Sequence, residues 1–391
     1  MLLSVGVILI VGLLLGWLCK LIKIPSLVGY LLVGVILGPF VLGFLDIKLL
    51  NISAELRQVA LAVILLRAGL SLKISDLKKI GRPAILLCFL PALLEIVTIT
   101  LFAPIIFHIS YLEAGILGCV LGAVSPAVIV PRMVKMMEKN QGVAKGVPQM
   151  ILAGASMDDV FAIVIFTALM SIATIGKVDT WGIVSVPISL IIGSITGIVI
   201  GIILSIIFHR INIRCTMKVI IFMAIALIML AIENLKVFPF SGLLGILALG
   251  MTVLKKNEVV AIEVGARFGK LWIVAEIFLF VLVGASVDIS YFINNLGFAI
   301  IVIMVGLLLR MIGVFVSVMR TNLNGKERLF CAISSTPKAT VQAAICGIPL
   351  AMGLACGELV LSVAVVAILF TAPLGAYAMD MTHNKLIKID L

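Results

Sequence analysis

Ser125-Pro126-Ala127-Val128-Ile129-Val130 returns, 211 residues downstream, as Thr336-Pro337-Lys338-Ala339-Thr340-Val341. Two other pairs keep nearly the same spacing. Gly69-Leu70-Ser71-Leu72-Lys73-Ile74-Ser75 matches Gly284-Ala285-Ser286-Val287-Asp288-Ile289-Ser290 at an offset of 215, and Ile24-Pro25 matches Phe238-Pro239. Each match alone is weak, but their common order and spacing point to a duplicated unit. Proline removes a backbone donor and clashes with the preceding turn. The repeated motif therefore predicts two helices broken near Ser125-Pro126 and near Ser335-Thr336-Pro337.

The setting is a membrane, because 63% of the 391 residues are hydrophobic and only 12% are charged. Apolar runs long enough to cross ~30 Å of hydrocarbon number about thirteen. They lie near residues 2–22, 27–45, 55–72, 83–107, 112–134, 146–173, 181–208, 216–233, 239–254, 268–287, 296–319, 329–352 and 358–380. The copies are runs 1–6 and 8–13, with run 7 as the join. An offset of seven crossings is odd, so the copies are inverted in the membrane. Inverted repeats with broken spans mark secondary transporters that alternate access around a midplane site. The expected fold is an all-α polytopic membrane protein of two inverted six-helix repeats, with broken helices 5 and 12 crossing.

Lysine and arginine fix the orientation, since cytoplasmic loops carry the positive excess. Loops after odd-numbered runs, with the C-terminal tail, hold 22 basic residues, and even-numbered loops hold only Lys48, Arg57, Lys177 and Lys236. The N-terminus is expected outside and the C-terminus in the cytoplasm. These residues also account for the net charge of +11 as topology signals, without nucleic acid. No basic segment precedes the first run, so it reads as a true span. Loops of about 20 residues or fewer leave no room for a soluble regulatory domain. Seven cysteines without Cys-x-x-Cys spacing and three scattered histidines argue against a zinc or haem centre.

Three basic residues, Arg67, Arg310 and Lys338, fall inside runs and need partners. Glu95 maps onto Arg310 at the same offset of 215, and both sit about 15–19 Å from the nearest cytoplasmic charge at 1.5 Å per residue. A buried Glu95–Arg310 ion pair is expected. Arg67 and Glu276 lie at matching depth in runs 3 and 10, which makes them a candidate structural pair.

Two aspartates stand together in Ala153-Gly154-Ala155-Ser156-Met157-Asp158-Asp159-Val160-Phe161-Ala162-Ile163-Val164. Each charge in such a helix costs roughly 2.5–3.5 kcal/mol, and an intramembrane acid is by default a candidate for an ion or proton pathway. Run 13, the repeat partner of run 6, carries no acid at the matching place near Phe370. Function therefore sits where the symmetry fails. Neighbouring helical residues point about 100° apart, so both carboxylates can border one cavity but cannot share a proton as a dyad. Hydroxyl and carbonyl oxygens near Ser125, Ser156 and the break in run 5 could complete an oxygen-rich shell suited to a hard cation. Lys338 would offset the half-helix carbonyl ends at the crossover.

Leu65-Leu66-Arg67-Ala68-Gly69-Leu70, Gly122-Ala123-Val124-Ser125-Pro126-Ala127-Val128-Ile129-Val130-Pro131, Lys145-Gly146-Val147-Pro148, Ser156-Met157-Asp158-Asp159 and Thr336-Pro337-Lys338-Ala339-Thr340-Val341-Gln342-Ala343-Ala344 together resemble the sodium/proton antiporters of the NHA type, in the second branch of the cation/proton antiporter superfamily. The resemblance spans nearly the whole chain. It implies a homodimer in membrane lipid, with scaffold segments 1–80 and 211–290, core transport segments 81–175 and 291–391, and a linker helix in 176–210. It also implies a core that slides against the scaffold as an elevator, with Asp159 as the essential ion-binding acid and Asp158 as its companion. Relatives with lysine at the Arg310 position pair it with the first aspartate. Arginine stays charged at physiological pH, so this chain departs from that pattern.

The expected function is exchange of Na⁺ or Li⁺ for H⁺ by alternating access, with cation and proton competing at Asp158 and Asp159. It calls for no enzyme activity and no cofactor beyond the transported ions. The expected location is a prokaryotic cell membrane. K⁺/H⁺ antiport and sodium-coupled symport of an organic anion are the alternatives. The symport requires a cationic anchor free of an acid partner, for which Lys338 is the candidate. An intramembrane aspartyl protease would need aspartates on two helices, and a gated cation channel would not be strictly proton-coupled.

Overall fold

The computed structural model describes residues 1–71, 81–175, 180–211, 213–235 and 238–389, without the side chains of Ser156, Asn234, residue 175 and residues 180–187. Among the described residues all regular structure is helical. The helices are α1 (Leu2–Leu21), α2 (Ser26–Leu37), α3 (Ile47–Asn51), α4 (Ser53–Ser71), α5 (Arg82–Leu87), α6 (Leu90–Phe107), α7 (Tyr111–Leu121), α8 (Pro126–Glu138) and α9 (Val147–Ile175). They continue with α10 (Thr180–Arg210), α11 (Cys215–Leu235), α12 (Gly242–Lys256), α13 (Glu258–Ala285), α14 (Ile289–Ser317), α15 (Gly325–Ser334), α16 (Thr340–Ile345), α17 (Ile348–Ala351) and α18 (Gly357–Leu386).

Each of the thirteen apolar runs coincides with helix, but helix length alone does not carry thirteen crossings. Nine stretches among the described residues are long and apolar enough to span. The second run ends early, at Leu37 instead of residue 45, because Gly38-Pro39 halts α2. The tenth begins early: α13 starts at Glu258, since helix continues past the apolar stretch through Arg267 and Lys270. Hydropathy reports the part of a helix that lipid can cover, not the whole helix.

The broken helices begin alike. Ser110 and Glu113 form a capping box at the start of α7, and Asn324 and Glu327 form another at the start of α15. In each box two orphan donors of the first turn are satisfied reciprocally. Glu327 also receives Lys145 Nζ on both carboxylate oxygens, at 2.8 and 3.0 Å. That contact ties the residues leading into α9 to the start of α15.

The described residues of Met1–Asn51, Ser75–Leu169 and Phe280–Leu391 form one compact unit. In it α6 packs along α14 and against α7, and α18 runs beside α14 to α17. The described residues of Ile52–Ile74 and Met170–Leu279 form a second unit, where α12 packs on α10 and α4. Lipid supplies no hydrophobic drive between helices, so close backbone approach must. A Cβ on Gly193 would fall 2.2 Å from Ser241 O, and one on Gly197 would fall 2.1 Å from Gly245 O.

Candidate functional site

The two breaks form where the repeat motif places them. Helix α7 stops at Leu121 and α8 starts at Pro126, leaving residues 122–125 non-helical, and α15 stops at Ser334 and α16 starts at Thr340, leaving 335–339 non-helical. Non-helical backbone at membrane depth is tolerated only where its polar groups are satisfied by protein or face a cavity. Here Ser125 N donates to Pro337 O at 2.8 Å, so the breaks cross and bond each other. Val124 N donates to Asp158 Oδ2 at 3.1 Å, and Ala123 O accepts from Gln342 Nε2 at 2.8 Å. On the other break, Lys338 N donates to Thr371 Oγ1 at 2.9 Å.

Arg310 reaches both breaks from α14. Its Nη1 donates to Gly122 O at 2.6 Å and its Nε to Ser335 O at 2.7 Å. The same guanidinium binds two acids. Nη1 lies 2.8 Å from Glu95 Oε2, and Nη2 donates to Asp158 Oδ2. Lys338 Nζ donates to Glu95 Oε2 at 2.6 Å. Glu95, Asp158, Arg310 and Lys338 are all fully buried, and their formal charges cancel. Burial of ions is tolerable only with such mutual pairing and further hydrogen bonds.

Asp159 stands outside this balance. It is half-buried, with Oδ1 out of solvent and without a hydrogen-bond partner among the described residues. Asp158 Oδ1 and Ser125 Oγ are buried and unpartnered in the same sense. Native proteins rarely leave such atoms unpaired, and carboxylate and hydroxyl oxygens are hard donors that suit an alkali cation. The Ser156 side chain lies outside the described part of the structure. A narrow cleft reaches Asp158 and Arg310. Its walls include Leu87, Met150, Ile151, Val314 and Cys331, close in sequence to Arg82, Lys145 and Arg328.

Glu95, Arg310, Lys338, Asp158 and Ser125 thus come together at the crossover, with Asp159 next along α9. Arg67 and Glu276 belong to the second unit, the first exposed and the second half-buried on its helix. Sequence reasoning did not foresee Arg310 binding Asp158, Lys338 binding Glu95, or the parts of Gln342 and Thr371. Gln342 and Thr371 left one usable signal: each is a polar residue within an apolar stretch, near a break or facing one. Because Lys338 is engaged by Glu95, it is not the free cationic anchor that organic-anion symport requires.

The model of the family described as "Sodium/hydrogen exchanger, transmembrane" matches residues 6–379. Sodium/hydrogen exchanger 9B2 of Homo sapiens is 32% identical over 388 residues, covering 93% of this chain and 70% of that protein. Sodium/hydrogen exchanger 9B1 of Mus musculus is 32% identical over 379 residues, covering 93% of this chain and 66% of that protein. The structure of the sodium proton antiporter MjNhaP1 from Methanocaldococcus jannaschii at pH 8 superposes with a TM-score of 0.83 at 19% identity, covering 98% of this chain and 97% of that one. With a family model running over almost its entire length and relatives at 32% identity, the chain belongs to the sodium/hydrogen exchanger family of transmembrane cation/proton antiporters.

Proposed function

We propose that this antiporter exchanges Na⁺ or Li⁺ for H⁺ at the aspartate pair, with Asp159 as the principal cation ligand and proton site. One observation carries the reading. Asp158 Oδ2 is held by Arg310 and by Val124 N, whereas Asp159 is the acid that the buried charges leave uncompensated. A bare carboxylate at this depth is costly, so Asp159 is stable with either a proton or a cation, and each displaces the other. Asp158 Oδ1, Ser125 Oγ and the Ser156 hydroxyl are the further candidate ligands. Glu95, Arg310 and Lys338 hold the crossover that presents them.

The wider arrangement follows the same logic. Segments 81–175 and 291–391 hold every residue of the site, which supports a core that carries the ion past scaffold segments 1–80 and 211–290, linked by 176–210. A homodimer in membrane lipid, joined through the scaffold, would give that core a fixed frame. The mass of the solubilised particle, at one or two chain masses, tests it. Arg67 and Glu276 would brace the scaffold. The excess of basic residues in odd-numbered loops supports an outside N-terminus and a cytoplasmic C-terminus. The cleft toward Asp158 would then open to the cytoplasm. The matched curated relatives are animal proteins, so they lend nothing to a prokaryotic cell membrane.

The test is proton flux in proteoliposomes under Na⁺, Li⁺ and K⁺ pulses. Wild-type protein is expected to respond to Na⁺ or Li⁺, and Asp159→Asn to lose the response while remaining folded by size-exclusion chromatography. Wild-type-like exchange in Asp159→Asn would sink the assignment.

A further inference from the structure

The backbone of the first break is held at four successive residues by four different partners: Gly122 O by Arg310, Ala123 O by Gln342, Val124 N by Asp158 and Ser125 N by Pro337. Three of these partners are charged side chains or the opposing break itself. Gln342 is the neutral side chain among them, and it is fully buried on α16. Its amide orientation is fixed by chemistry, because only the NH₂ end can face the Ala123 carbonyl at 2.8 Å. That leaves Oε1 buried and without a hydrogen-bond partner among the described residues.

We propose that Gln342 is a positioning residue that sets cation selectivity: by holding the Ala123 carbonyl it fixes the break whose next two residues anchor Asp158 and present Ser125. The inference rests on the antiport reading above. Sodium and lithium differ in the oxygen spacing they require, and that spacing here depends on how far Val124 and Ser125 lie from α9. An arginine and an aspartate also hold this break, but both belong to the charge balance. Gln342 can be altered without changing the buried charge, and its length sets the separation of α16 from the residues preceding α8.

Gln342→Met keeps the length and removes the donor, and Gln342→Asn keeps the amide but withdraws it by one methylene. Initial rates of proton flux in proteoliposomes, with Na⁺ and Li⁺ titrated separately, would be compared with wild type. In both variants the expected change is a rise in KM of roughly three- to tenfold, the size of one lost neutral hydrogen bond. The rise should be unequal for the two ions, so that the Na⁺-to-Li⁺ KM ratio moves while kcat holds. An unchanged ratio in either folded variant overturns the inference, as does an equal rise for both ions accompanied by a fall in kcat. Absence of Na⁺- or Li⁺-driven flux in the wild type removes the antiport reading and this inference together.

Discussion

At the scale of single residues, the site is a charge balance with one acid left over. Arg310 and Lys338 share Glu95 through the same oxygen, Oε2, while Arg310 also holds Asp158. Removing Glu95 leaves two cations against one carboxylate in a buried setting, and losing one partner of a buried ion set costs about 3–5 kcal/mol. Glu95→Gln should therefore lower thermal stability sharply in detergent. Lys338→Met in the same chain restores the charge balance and is expected to recover a large part of the loss. Thermal unfolding of wild type, both single variants and the double variant gives the coupling energy directly. If the two substitutions simply add, Glu95 and Lys338 are not the coupled pair that their 2.6 Å contact implies.

At the scale of elements, the two breaks are built on one plan with one substitution. Val124 N donates to Asp158, and 214 residues on Lys338 N donates to Thr371, which lies 213 residues after Asp158. The slot that receives the freed N–H of a broken helix thus holds a carboxylate in one repeat and a hydroxyl in the other. Thr371 itself donates to Ala367 O at 2.7 Å, which leaves its oxygen free to accept. Thr371→Val should strand a buried N–H at a cost of about 1–3 kcal/mol, and Thr371→Ser should restore it. Equal thermal stability of the valine variant and wild type would show that the slot is not needed. The breaks and the depth of Glu95 and Arg310 were legible because proline chemistry and sequence offset act along the chain axis. That Arg310 binds Asp158 as well as the expected Glu95 was not legible, since a depth count gives height on a helix but not its neighbours around the axis. The capping boxes at Ser110 and Asn324 were open to reading as Ser-x-x-Glu and Asn-x-x-Glu at an offset of 214, a fourth sign of the repeat. Gln342 and Thr371 were hidden because one polar residue in an apolar helix has many uses, and only the fold shows a facing backbone group.

At the scale of the whole molecule, the same balance constrains what one transport cycle can carry. Glu95, Asp158, Arg310 and Lys338 sum to zero and hold one another, so in a cycle that keeps them intact Asp159 is the acid of this site left to exchange charge. In the proposed exchange Asp159 would cross with a proton one way and a cation the other, since a bare carboxylate in the hydrocarbon is disfavoured by roughly 2.5–3.5 kcal/mol. The expected coupling is one cation for one proton, without net charge movement. Two measurements check it on the same proteoliposomes. On the acid side of the working range the apparent KM for Na⁺ should rise about tenfold per pH unit, the signature of a single proton competing with a single cation. Flux should also be the same with the membrane potential clamped at zero or set negative inside. A hundredfold rise per pH unit, or flux driven by the potential, would mean that a second group gives up its proton during the cycle. Asp158 and Lys338 would be the groups to test, and the Arg310 contacts that lock the set in this structure would then have to open in another.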